Sequence, residues 1–216
     1  MLAVVFDLDG VLIDSEQRWD AIRRGVAESA GRPWPDGATR AMQGMSTVEW
    51  STYLAETVGV PRSAAAVAEE VIDAMAAGYA RGLPLMPGAL AAVERLGARW
   101  PLGLASSSPR RIIDAVLRES GLGAHFAVSV STEQVSAGKP SPAVYLEACR
   151  QLGVPAAAAA AVEDSSNGLR AAHAAGLAVI AVPHATYPPA PDALALADVV
   201  LHQLDDLDAA VVAGLR

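Results

Sequence analysis

Phe6-Asp7-Leu8-Asp9-Gly10-Val11 follows directly on the apolar run Leu2-Ala3-Val4-Val5, and the reading of this junction decides the fold. The run is short, apolar and partly β-branched, which predicts a strand buried on both faces. Two carboxylates at i and i+2 stand at its end, with Gly10 immediately behind them. In an open α/β sheet ligands sit beyond the strand ends, so Asp7 and Asp9 are expected to project into a crevice that Gly10 leaves unobstructed. Carboxylates crowded there repel one another, and a divalent cation relieves the repulsion. Asp-x-Asp-Gly is also a common surface turn, and the tetrapeptide alone does not choose between the two readings.

Beyond Asp14-Ser15 the pattern turns helical. Trp19, Ile22, Val26 and Ala30 recur at helical spacing, as do Trp50, Tyr53, Leu54 and Val58, and then Val67, Val71, Met75 and Tyr79. Breakers separate these segments at Gly31-Arg32-Pro33-Trp34-Pro35, at Gly59-Val60-Pro61 and at Arg81-Gly82-Leu83-Pro84. A small helical bundle over residues 15–82 is therefore expected as an insertion into a core made of residues 1–14 and 83–216. Its tethers fall near Asp14 to Glu16 and near Gly82 to Pro87.

From Pro87-Gly88 onward strand and helix signals alternate, with strands expected at 101–105, 126–130, 159–163, 178–182 and 198–201 and helices between them. Residues 155–163 are the difficult stretch. Pro155 followed by six alanines favours a helix by local propensity. Alternation with the neighbouring helices requires a short helical turn and then a strand over 159–163. Repeated β-then-α units imply an α/β fold, a parallel sheet covered by helices on both faces.

The chain has 216 residues, 52% of them hydrophobic and 19% charged, enough for a folded core with an insertion. No apolar run reaches the roughly 18 residues needed to cross a bilayer. The chain opens on a strand without a basic leader, so a cytoplasmic protein is expected. Cys149 is the single cysteine and has no histidine beside it, so it reads as core. The net charge of −8 opposes a sequence-independent grip on nucleic acid or anionic lipid. Neither nucleic acid nor membrane is expected as a partner, and the assembly expected is a monomer or weak homodimer. An anionic substrate would need a cation in the site to counter this field.

Three more strand ends carry polar groups. Ser106-Ser107-Ser108 precedes a helix beginning near Pro109, where hydroxyls and free backbone N–H groups converge in a way that suits a phosphate, although a helix N-cap has the same look. Lys139 stands in Ser136-Ala137-Gly138-Lys139-Pro140-Ser141-Pro142, a stiff loop. At the mouth of an acidic crevice it would neutralise both a carboxylate and a transferring phosphoryl group, whereas alone it reads as a surface lysine. Glu163-Asp164-Ser165-Ser166-Asn167-Gly168 again follows an apolar run. Its acid pair would complete a hard oxygen-donor site of the kind Mg²⁺ favours, or else Asp164 or Ser165 would simply start the next helix. Four such groups, all at strand ends and chemically complementary, are improbable as a set of unrelated caps.

In this order, Asp7-Leu8-Asp9-Gly10, Ser106, Lys139 and Glu163-Asp164 resemble the four motifs of the haloacid dehalogenase-like hydrolase superfamily. The helical insertion is similar to the cap of its beta-phosphoglucomutase-like phosphatase branch. The resemblance implies a Rossmann-like core with Asp7 as nucleophile, an aspartyl-phosphate intermediate, and Asp9 as acid and then base. It further implies Mg²⁺ held by Asp7, the backbone carbonyl of Asp9 and Asp164, with Glu163 touching the metal or supporting those that do. Ser106 and nearby amides would bind the phosphoryl oxygens, and Lys139 would offset charge repulsion. Gly10, Glu16, Ser107 and Arg110 are the remaining candidate substrate contacts.

Where the mutases of that branch carry a cap histidine this sequence has Trp19, and where they carry an arginine it has Thr47 in Gly44-Met45-Ser46-Thr47. The cap is thus expected to lack the cations that would hold a second phosphate. With Asp14-Ser15-Glu16 and Trp19, this favours a phosphatase acting on a small sugar or polyol phosphate. The alternatives are a beta-phosphoglucomutase-like isomerase and a non-catalytic phospho-receiver. A dehalogenase fits poorly, having no need of Asp9 or the second acid pair. Trp34 and Trp50 are expected in the cap core, and His173 and His184 are expected to be structural.

Overall fold

Six parallel strands in the order β3-β2-β1-β4-β5-β6 form the centre of the computed structural model, which describes residues 1–215. β1 (Ala3–Phe6) lies in the middle, paired with β2 (Leu102–Ser106) on one side and β4 (Ala159–Glu163) on the other. β3 (Phe126–Ser131), β5 (Ala178–Ala181) and β6 (Val199–Val200) complete the sheet. Phe6 is in register with both Leu104 and Val162, so Asp7 leaves the sheet level with Ala105 and Glu163. The chain builds outward from β1 through β2 to β3 and then crosses back to β4, which makes the gap between β1 and β4 the switch point where open α/β sheets bind ligands.

Between β1 and β2 the chain forms α1 (Glu16–Ser29), the short α2 (Ala38–Ala41), α3 (Thr47–Thr52) and α4 (Ala64–Arg81). A π-helical turn, Tyr53–Thr57, continues α3. Ser63 starts α4, its hydroxyl accepting from the Ala66 amide at 3.2 Å. Trp50, Leu54, Val67, Val71 and Met75 are buried between these helices, while Trp34 is only partly covered. The two chain crossings run side by side: Asp14 N donates to Pro84 O (2.8 Å) and Met86 N to Leu12 O (2.9 Å). α2 is an addition to the sequence reading; it starts at Gly37, whose φ of 79° turns the chain into it.

Alternation along the strands sorts the core onto two faces. Val4, Phe6, Ala160 and Val162 face α5 (Ala89–Gly97) and α6 (Arg110–Ser120). Ala3, Val5, Ala159 and Ala161 face α7 (Ala143–Leu152) and α8 (Ser166–Ala174). The alanine run divides as expected, into a 3₁₀ turn over Ala156–Ala158 and then β4. Its helix propensity yields because β1 and β5 satisfy the strand's backbone from both sides. The last expected strand shrinks to two residues, preceded by α9 (Pro191–Leu194) and followed by α10 (Ala209–Gly214). Arg216, the last residue of the expected core, lies outside the described residues. No helix among the described residues is long and apolar enough to cross a membrane.

Leu96, fully buried on α5 against the sheet, is a measure of this packing. Leu96→Ala should lower unfolding stability by about 2–5 kcal/mol in urea denaturation followed by circular dichroism.

Candidate active site

Asp7, Lys139, Glu163 and Asp164 converge beyond the ends of β1 and β4, all but removed from solvent. Lys139 Nζ donates to Asp7 Oδ1 (2.8 Å), Glu163 Oε1 (2.6 Å) and the Ala105 carbonyl (3.0 Å), which uses all three of its protons. Glu163 is saturated. The Tyr145 hydroxyl donates to Oε1 (2.7 Å), and Oε2 accepts from the Asp164 and Ser165 amides and the Ser165 hydroxyl at 3.1–3.3 Å. Burial pulls the Lys139 ammonium down, but Asp7 and Glu163 together lift it above its ordinary value, so it stays charged. Burial pushes the Asp7 carboxyl up to about 8 against the pull of Lys139, with Glu163 and Asp9 adding to the rise. Asp164 is driven upward by burial and by Glu163 and Asp7.

Asp9 faces the helical insertion. Its Oδ1 accepts from the Ser15 hydroxyl (2.5 Å) and the Trp19 indole (3.1 Å), and its Oδ2 from the Ser108 hydroxyl (2.7 Å). Ser106 is wholly buried, accepting from the Ser108 amide at 2.9 Å and reaching Asp9 Oδ2 only at 3.4 Å. Its neighbour Ser107 lines the open crevice in its place. That crevice encloses about 290 Å³ and is also lined by Asp7, Asp9, Glu16, Lys139 and Asp164.

Several expectations change here. Arg110 does not line the crevice: its guanidinium donates to the Ser129 carbonyl (2.8 Å) and to Asp114 Oδ1 (3.0 Å), because its side chain runs along α6 and over the neighbouring β3 edge. Nor is the insertion without cations. Arg40 lines the crevice beside Gln43 and Gly44, and Arg23 lines a smaller adjoining cavity. The crevice arginine comes not from the position after Gly44, which is Thr47, but from α2 before it. His184 is buried, its Nδ1 accepting from the Thr186 amide at 3.2 Å, and His173 is exposed.

The donor set fits a small hard cation. One oxygen from each of Asp7, Glu163 and Asp164 lies within 4.8 Å of the others. Asp164 Oδ1 is buried without a hydrogen-bond partner among the described residues. With Glu163 spent on its five donors, Asp7 and Asp164 hold the free lone pairs. Two glycines make the cluster possible. At Gly10, with φ at 82°, a Cβ would stand 2.0 Å from Asp164 Oδ2; at Gly168, on the first turn of α8, one would stand 1.8 Å from Glu163 Oε1. Gly168, Tyr145, Ser15 and Ser108 were absent from the expected site.

Gly168→Ala should cost about 1–3 kcal/mol in chemical denaturation, since displacing Glu163 outweighs the roughly 1 kcal/mol gain in helix propensity. A second measurement follows from Glu16, whose carboxyl burial pushes up to about 7 against the opposing Arg23. The folded protein keeps a proton on Glu16 that the unfolded chain releases from about pH 4.5, so stability falls as pH rises from there to about 7. Glu16→Gln removes that loss. In thermal unfolding, the variant should gain on the parent across the window and hold its advantage above it.

A protein-family model described as haloacid dehalogenase-like hydrolase matches residues 1–176. Hexitol phosphatase B of Escherichia coli K12 is 35% identical over 227 residues, covering 99% of this chain and 97% of that protein. The phosphorylated carbohydrates phosphatase of Thermotoga maritima is 34% identical over 178 residues, 82% of each chain. Among solved structures, CbbY of Rhodobacter sphaeroides in complex with phosphate superposes with a TM-score of 0.84 at 27% identity, over 99% of this chain and 100% of that one. With four acidic and basic groups gathered at the strand ends and an α-helical insertion after the first of them, the chain belongs to the haloacid dehalogenase-like hydrolases, in their beta-phosphoglucomutase-like branch.

Proposed function

We propose that this phosphoric monoester hydrolase uses Mg²⁺ and an aspartyl-phosphate intermediate on Asp7 to cleave a small phosphorylated sugar or polyol. One observation carries the reading: a buried lysine ammonium shared between Asp7 and Glu163, beside an Asp164 oxygen that has no protein partner. The related phosphatases of hexitols and phosphorylated carbohydrates support the substrate class. Residues 15–82 act as the cap over a core of 1–14 and 83–215.

Asp7 Oδ1 is engaged by Lys139, which leaves Oδ2 to attack phosphorus. Lys139 stays protonated throughout and lessens the repulsion between that carboxylate and the phosphate dianion. Glu163 touches neither reactant; it fixes Lys139, with Tyr145 and the Ser165 backbone fixing Glu163 in turn. Ser107, at the start of the loop before α6, offers its hydroxyl and amide to the phosphoryl oxygens. Asp9 gives a proton to the leaving oxygen and later takes one from the water that opens the intermediate. Asp7, Asp164 and the Asp9 carbonyl would hold Mg²⁺, with Glu163 behind them. Bound there, the ion supplies Lewis-acid charge to the transferring group.

The isomerase remains a second reading because Arg40 stands in the crevice, where a second phosphate would need a cation. Trp19 argues against it, since its indole donates to Asp9 where that reaction would use a titratable group. Glucitol 6-phosphate with Mg²⁺ should release inorganic phosphate, and excess chelator or Asp7→Asn should cut the rate by at least about 10³-fold. Full activity in chelator or in the variant would overturn the mechanism. Conversion of a sugar 1-phosphate to the 6-phosphate without phosphate release would favour the isomerase.

A further inference from the structure

Arg23 lies on α1 in the middle of the apolar stripe formed by Trp19 and Val26, and it is 6% exposed. Its guanidinium lies against two indoles that also pack on each other, 4.8 Å from the Trp19 ring centre and 4.9 Å from that of Trp50. Nε is buried with no hydrogen-bond partner, and the acids that act on the group, Glu16, Asp9 and Asp20, do so only at a distance. A guanidinium carries five donors and is costly to bury unpaired. Contact with the indoles alone does not account for it, because an uncharged side chain of similar length would pack against the same tryptophans without that cost.

Arg23 also lines a cavity of about 40 Å³, together with Trp19, Trp50, Met42 and Met45. This cavity adjoins the crevice, and the two share Asp9, Glu16, Gly44 and Ser107. A molecule whose phosphorus sits at Asp7 therefore reaches it with its other end. We propose that Arg23 is a specificity-determining residue that receives a carboxylate at the far end of the substrate, which makes the preferred substrate a phosphorylated hydroxy acid. The cavity is small, about 40 Å³, which suits a carboxylate better than a bulkier second phosphate. The planar fork of guanidinium donors also matches a planar carboxylate bidentately.

This inference rests on the phosphomonoesterase reading and is tested with matched pairs that differ only at the far carbon. Glycerate 3-phosphate is set against glycerol 3-phosphate, and gluconate 6-phosphate against glucitol 6-phosphate, with phosphate release measured at saturating Mg²⁺. In the unmodified enzyme at least one acid should exceed its alcohol by about tenfold or more in kcat/KM, mostly through KM. Arg23→Met should abolish that ratio, and Arg23→Lys, which keeps the charge but loses the fork, should retain only part of it. Equal rates within both pairs, or a preference for the alcohols, would overturn the assignment without any variant having to fold. An acid preference that survives in Arg23→Met would do the same. Failure to release phosphate from all four compounds and from an aryl phosphate would instead bring down the phosphatase reading itself.

Discussion

A single ammonium holds the candidate site together. Lys139 sits where two carboxylates from the adjacent strands β1 and β4 would otherwise face each other with little access to solvent. Buried like charges at that range raise each other's proton affinity and push the strand ends apart. With the lysine between them the carboxylates are held in place, and Tyr145 and the backbone after β4 take up the remaining lone pairs of Glu163. The arrangement depends on the parallel register, because only with Phe6 opposite Val162 do Asp7 and Glu163 emerge at the same level.

The charged centre was legible in the sequence because its acids follow directly on apolar runs. Such a run dictates a buried strand, a strand in a parallel sheet ends at the ligand-binding edge, and the polar residue that follows has nowhere else to go. Lys139 was legible by company, since an isolated lysine in a stiff loop says little until acid pairs are placed opposite it. The strand β4 was readable for a global reason and against a local one: six alanines prefer a helix, and only the need to alternate with neighbouring helices made them a strand.

What escaped came from helix faces. Tyr145 repeats with Ala148 and Cys149 as ordinary core, and its polar tip matters only once α7 is packed beneath Glu163. Gly168 carried no signal of its own in the sequence, and the need for a missing Cβ is visible only when the Glu163 carboxyl is in place. Arg110 was misplaced because adjacency to the serine loop in sequence says nothing about which way α6 turns it. Arg23 did leave a trace in the sequence. It is the one charge on the Trp19–Val26 stripe, and a cation in an apolar stripe calls for an explanation that periodicity cannot supply.

The paired tethers couple the helical insertion to Asp9 mechanically. Asp9 belongs to the sheet end, whereas Ser15 and Trp19, which grip one of its oxygens, ride on the first helix past the strap formed by Leu12–Asp14 and Pro84–Met86. Two strands bonded side by side twist as a ribbon more readily than they part. Any rotation about that ribbon would therefore stretch the grip on Asp9 before it disturbed the lysine-centred cluster, which among the described residues receives no hydrogen bond from the helical insertion. The orientation of one carboxylate thus reports the position of an entire layer of helices.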